Sequence, residues 1–318
     1  MKWLISFIIF VAITVLWMIY RAEQNEISAE SASPISGRII DVDGRKVHVK
    51  IDGTGPPIML IHGASGNLRD MTMGLAPAIS DRFTTIAVDR PGLGYTPPIG
   101  NKGATLKQQA DLFAGLARKL GYDKIYVLGQ SYGGAVALKM ALEYPDLVAG
   151  LVLISTPSNV WDTGLSTLYK INANPISGPI LRLIVAAFPP KKLVDDSLVE
   201  IFAPQLVPEN YADMVGTGLT LRQVTQKSNA LQVAALKEEI RAMVPRYGEI
   251  MMPVEAIHGT KDIIVPYEIH TKKLAHQIKG IEVTVLQNVG HMPHHTNLKD
   301  VVAVIDRLQQ RAGLKTGQ

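Results

Sequence analysis

One stretch limits what this chain can become. Lys124-Ile-Tyr-Val-Leu-Gly-Gln-Ser-Tyr-Gly-Gly-Ala-Val-Ala-Leu-Lys-Met-Ala-Leu142 is an apolar strand that passes through a glycine-flanked serine straight into a helix. Its centre, Gly129-Gln130-Ser131-Tyr132-Gly133, has the G-x-S-x-G form that lifts a serine clear of a sheet on a sharp strand-to-helix turn. Such a turn crowds the backbone, and glycines at 129 and 133, lacking Cβ atoms, let strand and helix approach. After Gly134 the helix is apolar on most faces, as burial against a sheet requires. Its dipole and free N–H groups point at Ser131. Small residues around a serine also occur in plain turns, so the meaning of the stretch depends on the rest of the chain.

Around it, strands and helices alternate. Arg38–Val42 and Lys46–Ile51, joined by Asp43-Gly44, read as an antiparallel hairpin at a sheet edge. The stretches from Pro57 to Gly63 and from Phe83 to Arg90 are continuous apolar strands of the kind buried on both faces of a parallel sheet, with a helical stretch between them at Leu68 to Ile79. Thr105 and Gln108 form a capping box that opens an amphipathic helix closed by Gly121. Val148 to Ile154 is a further strand. From 158 to 251 the strand rhythm stops, and stretches such as Pro179 to Phe188 and Ala230 to Met243 predict an inserted helical lid. Trp161, Leu165, Leu181, Ile184 and Phe188 are candidates for its apolar wall. The sheet resumes at Val254 to Gly259 and Ile281 to Leu286, and a last helix has apolar residues at 298, 301, 302, 305 and 308. The expected fold class is therefore α/β: a mostly parallel sheet with helices on both faces, with sites beyond the carboxyl ends of the strands.

Ser131 falls at such an end. A serine hydroxyl is a poor nucleophile without a histidine base and a carboxylate to orient it. Asp262, in Gly259-Thr-Lys-Asp-Ile-Ile-Val-Pro266, and His291, in Val289-Gly-His-Met-Pro-His294, each follow a strand. The chain order Ser131, Asp262, His291 is the one that accompanies a nucleophile elbow. His294 and His295 stand beside His291 as expected surface residues at a helix entrance, and loop position selects His291.

With these residues in place, the chain resembles the α/β-hydrolase fold superfamily, in its lid-bearing branch of esterases, lipases and C–C bond hydrolases. The resemblance covers roughly residues 36 to 157 and 252 to 312. It implies that His62-Gly63-Ala64-Ser65-Gly66 is the oxyanion loop, with Ala64 giving one backbone N–H and Tyr132 the other. It also implies structural roles for His62, Asp89 and Arg90. Relatives that dehalogenate alkanes or open epoxides carry Asp where this chain has Ser131, so acyl transfer to water through an acyl-serine is the expected chemistry. A C–C bond hydrolase, a cofactor-free haloperoxidase-like enzyme and a non-catalytic ligand receptor remain as alternatives. No cofactor or metal is expected, since no metal cluster or phosphate loop competes, and Gly92-Leu93-Gly94 lacks the G-x-G-x-x-G frame.

The N-terminus bears on location. From Trp3 to Tyr20 only Ser6 and Thr14 interrupt an apolar run of about 27 Å as helix, close to the thickness of a bilayer core. Lys2 and Arg21 bracket it, and Trp3, Trp17 and Tyr20 lie near its ends, where amphipathic rings favour the lipid–water interface. A cleaved signal peptide is the alternative to an anchor, but the run is long for one and no A-x-A site follows at once. The expected organisation is an anchor at 1–22, a flexible polar linker at 23–35, a core at 36–157 and 252–314, and the lid at 158–251. Arg21 is accompanied by Glu23 and Glu26, so the charge bias slightly favours a cytoplasmic N-terminus and a periplasmic domain. The expected partners are the membrane, through this helix, and a small-molecule ester. A net charge of +4 without a basic block argues against nucleic acid, and the absence of cysteine excludes disulfides and thiol chemistry.

Overall fold

The structure, a computed structural model, describes residues 1–314. Eight strands form one sheet in the order β1-β2-β4-β3-β5-β6-β7-β8. They are β1 Arg38–Val42, β2 Arg45–Asp52, β3 Pro57–Ile61, β4 Thr84–Val88, β5 Ile125–Gln130, β6 Val148–Ile154, β7 Val254–Gly259 and β8 Glu282–Leu286. β1 and β2 pair antiparallel, and the turn that joins them has positive φ at both Asp43 and Gly44, as the Asp-Gly signal predicts. β2 meets β4 antiparallel, and every remaining pairing is parallel. β3, β5 and β7 are buried along their whole length, which explains their unbroken apolar sequences. Separate apolar layers cover the two faces: one contains Phe113, Val136 and Met140, the other Phe83, Val304 and Ile305. This is the expected α/β-hydrolase architecture.

The chain leaves β3 toward β4 on one side, then returns to β5 on the other side of β3. The loops after β3 and β5 therefore diverge, and the crevice between them is where an open α/β sheet binds its ligand. His62-Gly63 and Ser131 flank it.

Local differences from expectation have simple causes. The helical stretch before β4 is two short helices, Arg69–Thr72 and Leu75–Ile79, separated by Gly74. The capping box at Thr105 and Gln108 is present in full and opens the helix Leu106–Lys119. Between β6 and β7 every regular element among the described residues is helical: Thr167–Ala173, Ser177–Ala187, Lys191–Phe202, Tyr211–Val215, Thr217–Thr220, Gln223–Met243 and a 3-10 turn at Val244–Glu249.

The N-terminal helix runs from Lys2 to Ala32, so residues 23–32 are helical rather than a flexible linker. Ala, Glu, Gln and Arg are strong helix formers, and Pro34 stops the helix just beyond its end. The apolar run is exposed from Lys2 to Ile13 and touches the domain only near its end, at Trp17 and Met18; it is long and apolar enough for a membrane span or a signal helix. The polar half packs on the helical segment between β6 and β7. Asn25 Nδ2 donates to the carbonyls of Ala186 and Ala187 (2.8 and 3.1 Å), the Glu26 carboxylate accepts the Gln223 N–H (2.8 Å), and Glu30 pairs with Arg222 (2.7 Å). Phe188, expected on the lid's inner wall, instead packs outside against Trp17 (5.6 Å between ring centroids) and under the Arg21 guanidinium. Ile184 is exposed as well.

Candidate active site

The strand-to-helix turn after β5 holds Ser131 at φ 51° and ψ −122°, a backbone region costing on the order of 1–3 kcal/mol for a residue with a side chain. The Ser131 N–H donates to the Ile154 carbonyl (2.8 Å), which ties the strained residue to β6. A Cβ on Gly129 would run into the Gly133 carbonyl, so glycine is required for the strand to meet its own helix. A Cβ on Gly63 would come within 3.1 Å of Ser131 Cβ and collide with the Gln130 side chain. The loop after β3 therefore lies directly against the serine.

Asp262 and His291 come from the loops after β7 and β8. The His291 Nδ1–H donates to Asp262 Oδ2 at 2.7 Å, and both residues are buried. Asp262 Oδ1 takes the N–H groups of Ile264 and Val265 (2.9 and 2.8 Å), while the His258 Nε2–H reaches Oδ2 at 3.1 Å. Burial alone would raise the pKa of this carboxyl. The charge of His291 and the hydrogen bonds from His258 and His291 outweigh burial and hold it below the usual carboxylate range. The His291 carbonyl lies 3.4 Å from Gln130 Nε2, so the histidine loop rests on the residue before Ser131. The structure thus joins Asp262 to His291 directly. Ser131 Oγ makes no hydrogen bond among the described residues, so the structure joins His291 to Asp262 but not to Ser131.

Ala64 and Tyr132 flank the serine on the two loops, and neither backbone N–H is donated to a protein acceptor among the described residues. The next N–H, that of Ser65, is taken by Asn229 Oδ1 (2.9 Å), and Asn229 Nδ2 donates back to Ser65 Oγ (2.8 Å). Thr220 Oγ1 donates to the Ser65 carbonyl (2.7 Å). On the other side of the crevice Gln205 donates to the Asn288 carbonyl (2.7 Å) and accepts the Gly290 N–H (2.9 Å). The helical segment between β6 and β7 therefore grips both loops that flank Ser131.

His62 and Arg90 order this loop from below. The His62 Nδ1–H donates to the Gly63 carbonyl (2.8 Å) while Nε2 accepts the Arg90 N–H (3.0 Å). Burial, and after it the Arg90 charge, lower the imidazole to about 4, so it is neutral in this role. Arg90 is buried without a carboxylate partner. Its side chain donates to Gly63 and Gln109, reaches Gln232, and lies 3.7 Å from the centre of the Tyr132 ring. Burial pushes its pKa down to about 10. Asp89 accepts the N–H groups of Leu68 and Tyr95 (both 2.7 Å), as a loop-ordering residue does.

His294 and His295 correct the expectation of surface residues. His294 is buried, and both histidines donate to Asp70, which also accepts Tyr211 (2.8 Å). Asp70 is too far away in sequence for local pattern to reveal the network. The two lining cavities of note, about 300 and 170 Å³, lie between the N-terminal helix and the lid and beside Tyr211 and His295. Neither is lined by Ser131.

A doubly wound sheet, a strained serine at its switch point and a buried Asp–His pair on the following loops define the hydrolase class of α/β proteins. The family model for the alpha/beta hydrolase fold matches residues 56–298, and the chain belongs to that family. A hydrolase of 2-hydroxy-6-oxononadienedioate and 2-hydroxy-6-oxononatrienedioate from Comamonas testosteroni is 25% identical over 257 residues, spanning 77% of this chain and 85% of its own. An esterase from Thermogutta terrifontis superposes with a TM-score of 0.70 at 21% identity, over 87% of this chain and all of its own. A bacterial membrane phospholipase A superposes with a TM-score of 0.65 at 20% identity, over 97% of this chain and 99% of its own. At these identities the solved structures speak for the fold.

Proposed function

We propose that the protein is a membrane-anchored serine hydrolase of lipophilic carboxylic esters. The observation that carries the chemistry is the Asp262–His291 pair, closed at 2.7 Å on a loop that rests against the Ser131 elbow. In this reading His291 Nε2 accepts the Ser131 proton as Oγ attacks the ester carbonyl. Asp262 fixes the tautomer, holding the proton on Nδ1, and stabilises the imidazolium that forms. The unused N–H groups of Ala64 and Tyr132 receive the oxyanion. Collapse releases the alcohol with the proton held by His291, leaving acyl-Ser131, and His291 then activates water to free the acid.

The preference for lipophilic esters rests on the apolar N-terminal run and on the polar helix that joins it to the lid. A lid fixed to a membrane helix keeps the site near the headgroups. The membrane phospholipase that superposes over 97% of this chain supports the same reading. Lys2 on one side, against Arg21 with Glu23 and Glu26 on the other, favours a cytoplasmic N-terminus and a periplasmic hydrolase domain.

A fluorophosphonate probe with a panel of p-nitrophenyl esters of increasing chain length tests the chemistry. The expected result is covalent labelling at Ser131 and rates that rise with acyl length. Hydrolysis of a dienone-type C–C substrate in preference to every ester would favour instead the chemistry of the Comamonas relative. Protease treatment of spheroplasts tests the topology, since full protection of the domain would reverse it.

A further inference from the structure

The lid helix Ser177–Ala187 has two unlike faces. One packs inward: Ala186 and Ala187 are buried against Ala22 of the N-terminal helix, with Leu183 and Met18 beside them, and Arg182 is buried against Asn172. The other carries Ile176, Ile180, Ile184 and Phe188, spaced four apart and so on one side of the helix. Their exposures are 80, 62, 44 and 40%. The preceding helix Thr167–Ala173 adds exposed Leu168 and Ile171. A contiguous branched-apolar row of this kind is unfavourable in water and marks a surface that is covered in use.

What covers it is indicated by where the row begins. Phe188 packs on Trp17, and Arg21 lies over both rings, 5.4 Å from the centre of Trp17 and 4.9 Å from that of Phe188. Trp17 and Arg21 close the apolar run of the N-terminal helix, where a tryptophan and a cation sit at headgroup level in a membrane span. The row is thus continuous with the surface that the bilayer would cover. We infer that the Ile176–Phe188 face of the lid lies in the headgroup–acyl boundary of the bilayer that holds the N-terminal helix, so that the lid docks on lipid. This rests on the anchor proposed above.

The docking has a route to the active site. Tyr169, on the helix bearing Leu168 and Ile171, accepts a hydrogen bond from Asn229 Nδ2 (3.3 Å), and Asn229 holds Ser65 in the loop against Ser131. Lipid contact on the outer face of these helices therefore bears on the segment that fixes the proposed oxyanion loop.

The chain has no cysteine, so Ile176→Cys, Ile180→Cys, Phe10→Cys and Asp123→Cys can each carry a single NBD label in the full-length protein. Asp123 precedes β5, at the end of the sheet opposite Ser131, and serves as the aqueous reference. The protein is reconstituted in phosphatidylethanolamine–phosphatidylglycerol vesicles with either aqueous iodide or a lipid bearing a doxyl group near the glycerol backbone. The expected result is that labels at 176 and 180 shift to the blue, lose at least about half the iodide quenching seen at 123, and are quenched by the doxyl lipid, as for side chains about 5–10 Å into the boundary. Labels at 176 and 180 open to iodide while the label at 10 is lipid-shielded overturn the docking and leave the anchor standing. Labels shielded from iodide but not reached by the doxyl lipid overturn it in favour of a second protein copy on this face. A label at 10 open to iodide overturns the anchor and the docking with it.

Discussion

At the scale of single residues, the proposed site rests on a serine held at positive φ and on a buried carboxylate that its donors keep ionised against the cost of burial. Ser131→Ala removes only a hydroxyl, so the fold should persist by circular dichroism while the rate of ester hydrolysis falls by about 10⁴ or more. A few-fold loss would exclude Ser131 as the nucleophile. Asp262→Asn keeps the shape but turns an acceptor of four donors into a group with its own N–H, so a kcat loss of about 10⁴ is expected through the wrong His291 tautomer. The buried histidines make a separate prediction about pH. His62 is lowered to about 4 and His270, a buried histidine whose Nδ1 accepts the N–H groups of Ser158 and Asn159, to about 3, in each case chiefly by burial. Between about 6.5 and these values the unfolded chain binds protons that the folded protein refuses, so stability falls as pH falls through that window and levels off below it. For His62 the effect is on the order of 3 kcal/mol. Denaturant titrations from pH 7 to pH 4 should show this loss, and a flatter slope in His62→Gln.

At the scale of elements, most of the sheet was legible from sequence because each strand is bounded by its own turn chemistry and buried enough to show as an apolar run. The places of Ser131, Asp262 and His291 in the fold were legible for the same reason, since each sits one step beyond a readable strand. The lid was legible only as a change of rhythm. Its register depends on partners far along the chain: Asn229 reaches Ser65, and Gln205 reaches Asn288 and Gly290. No local pattern encodes such pairs. Asp70 with His294 and His295 was missed for the same reason, and the adjacent pair of histidines was the only signal available. These long-range contacts carry a prediction of their own. Asn229 satisfies both the backbone and the hydroxyl of Ser65, so Asn229→Ala releases the loop that bears Ala64 without touching Ser131, Asp262 or His291. A kcat lower by about ten-fold with KM little changed is expected, since a small misplacement of positioned groups is costly in rate. An unchanged kcat would mean that the loop holds its shape without the lid.

At the scale of the whole molecule, the N-terminal helix has two functions divided at about Arg21. The apolar half is the proposed membrane anchor, and the half from Ala22 to Ala32 is part of the folded domain. Its composition suggested a flexible tether because small polar residues read that way when their contacts are unknown. In the structure two of those residues complete other helices. Asn25 donates to the last carbonyls of Ser177–Ala187, and Glu26 accepts the first N–H of Gln223–Met243, placing an anionic group at a helix N-terminus. The ends of both helices are thus terminated by the polar half of the N-terminal helix, which leaves little freedom between that helix and the helical segment it packs on. Two truncations separate the halves. Removing residues 1–19 should give a domain that no longer floats with membranes yet keeps nearly all its thermal stability, because every cap remains and only the partly exposed Trp17 and Met18 contacts are lost. Removing residues 1–33 also deletes both caps and the Glu30–Arg222 pair. With caps contributing about 0.5–2 kcal/mol each and a half-exposed ion pair little, the melting temperature should fall by roughly 5 °C or more. Hydrolysis of a short soluble ester should survive the first truncation and decline in the second, as the lid that grips the Ser65 and Gly290 loops loses its support. Equal stability of the two truncated proteins would show that residues 20–33 rest on the lid without holding it.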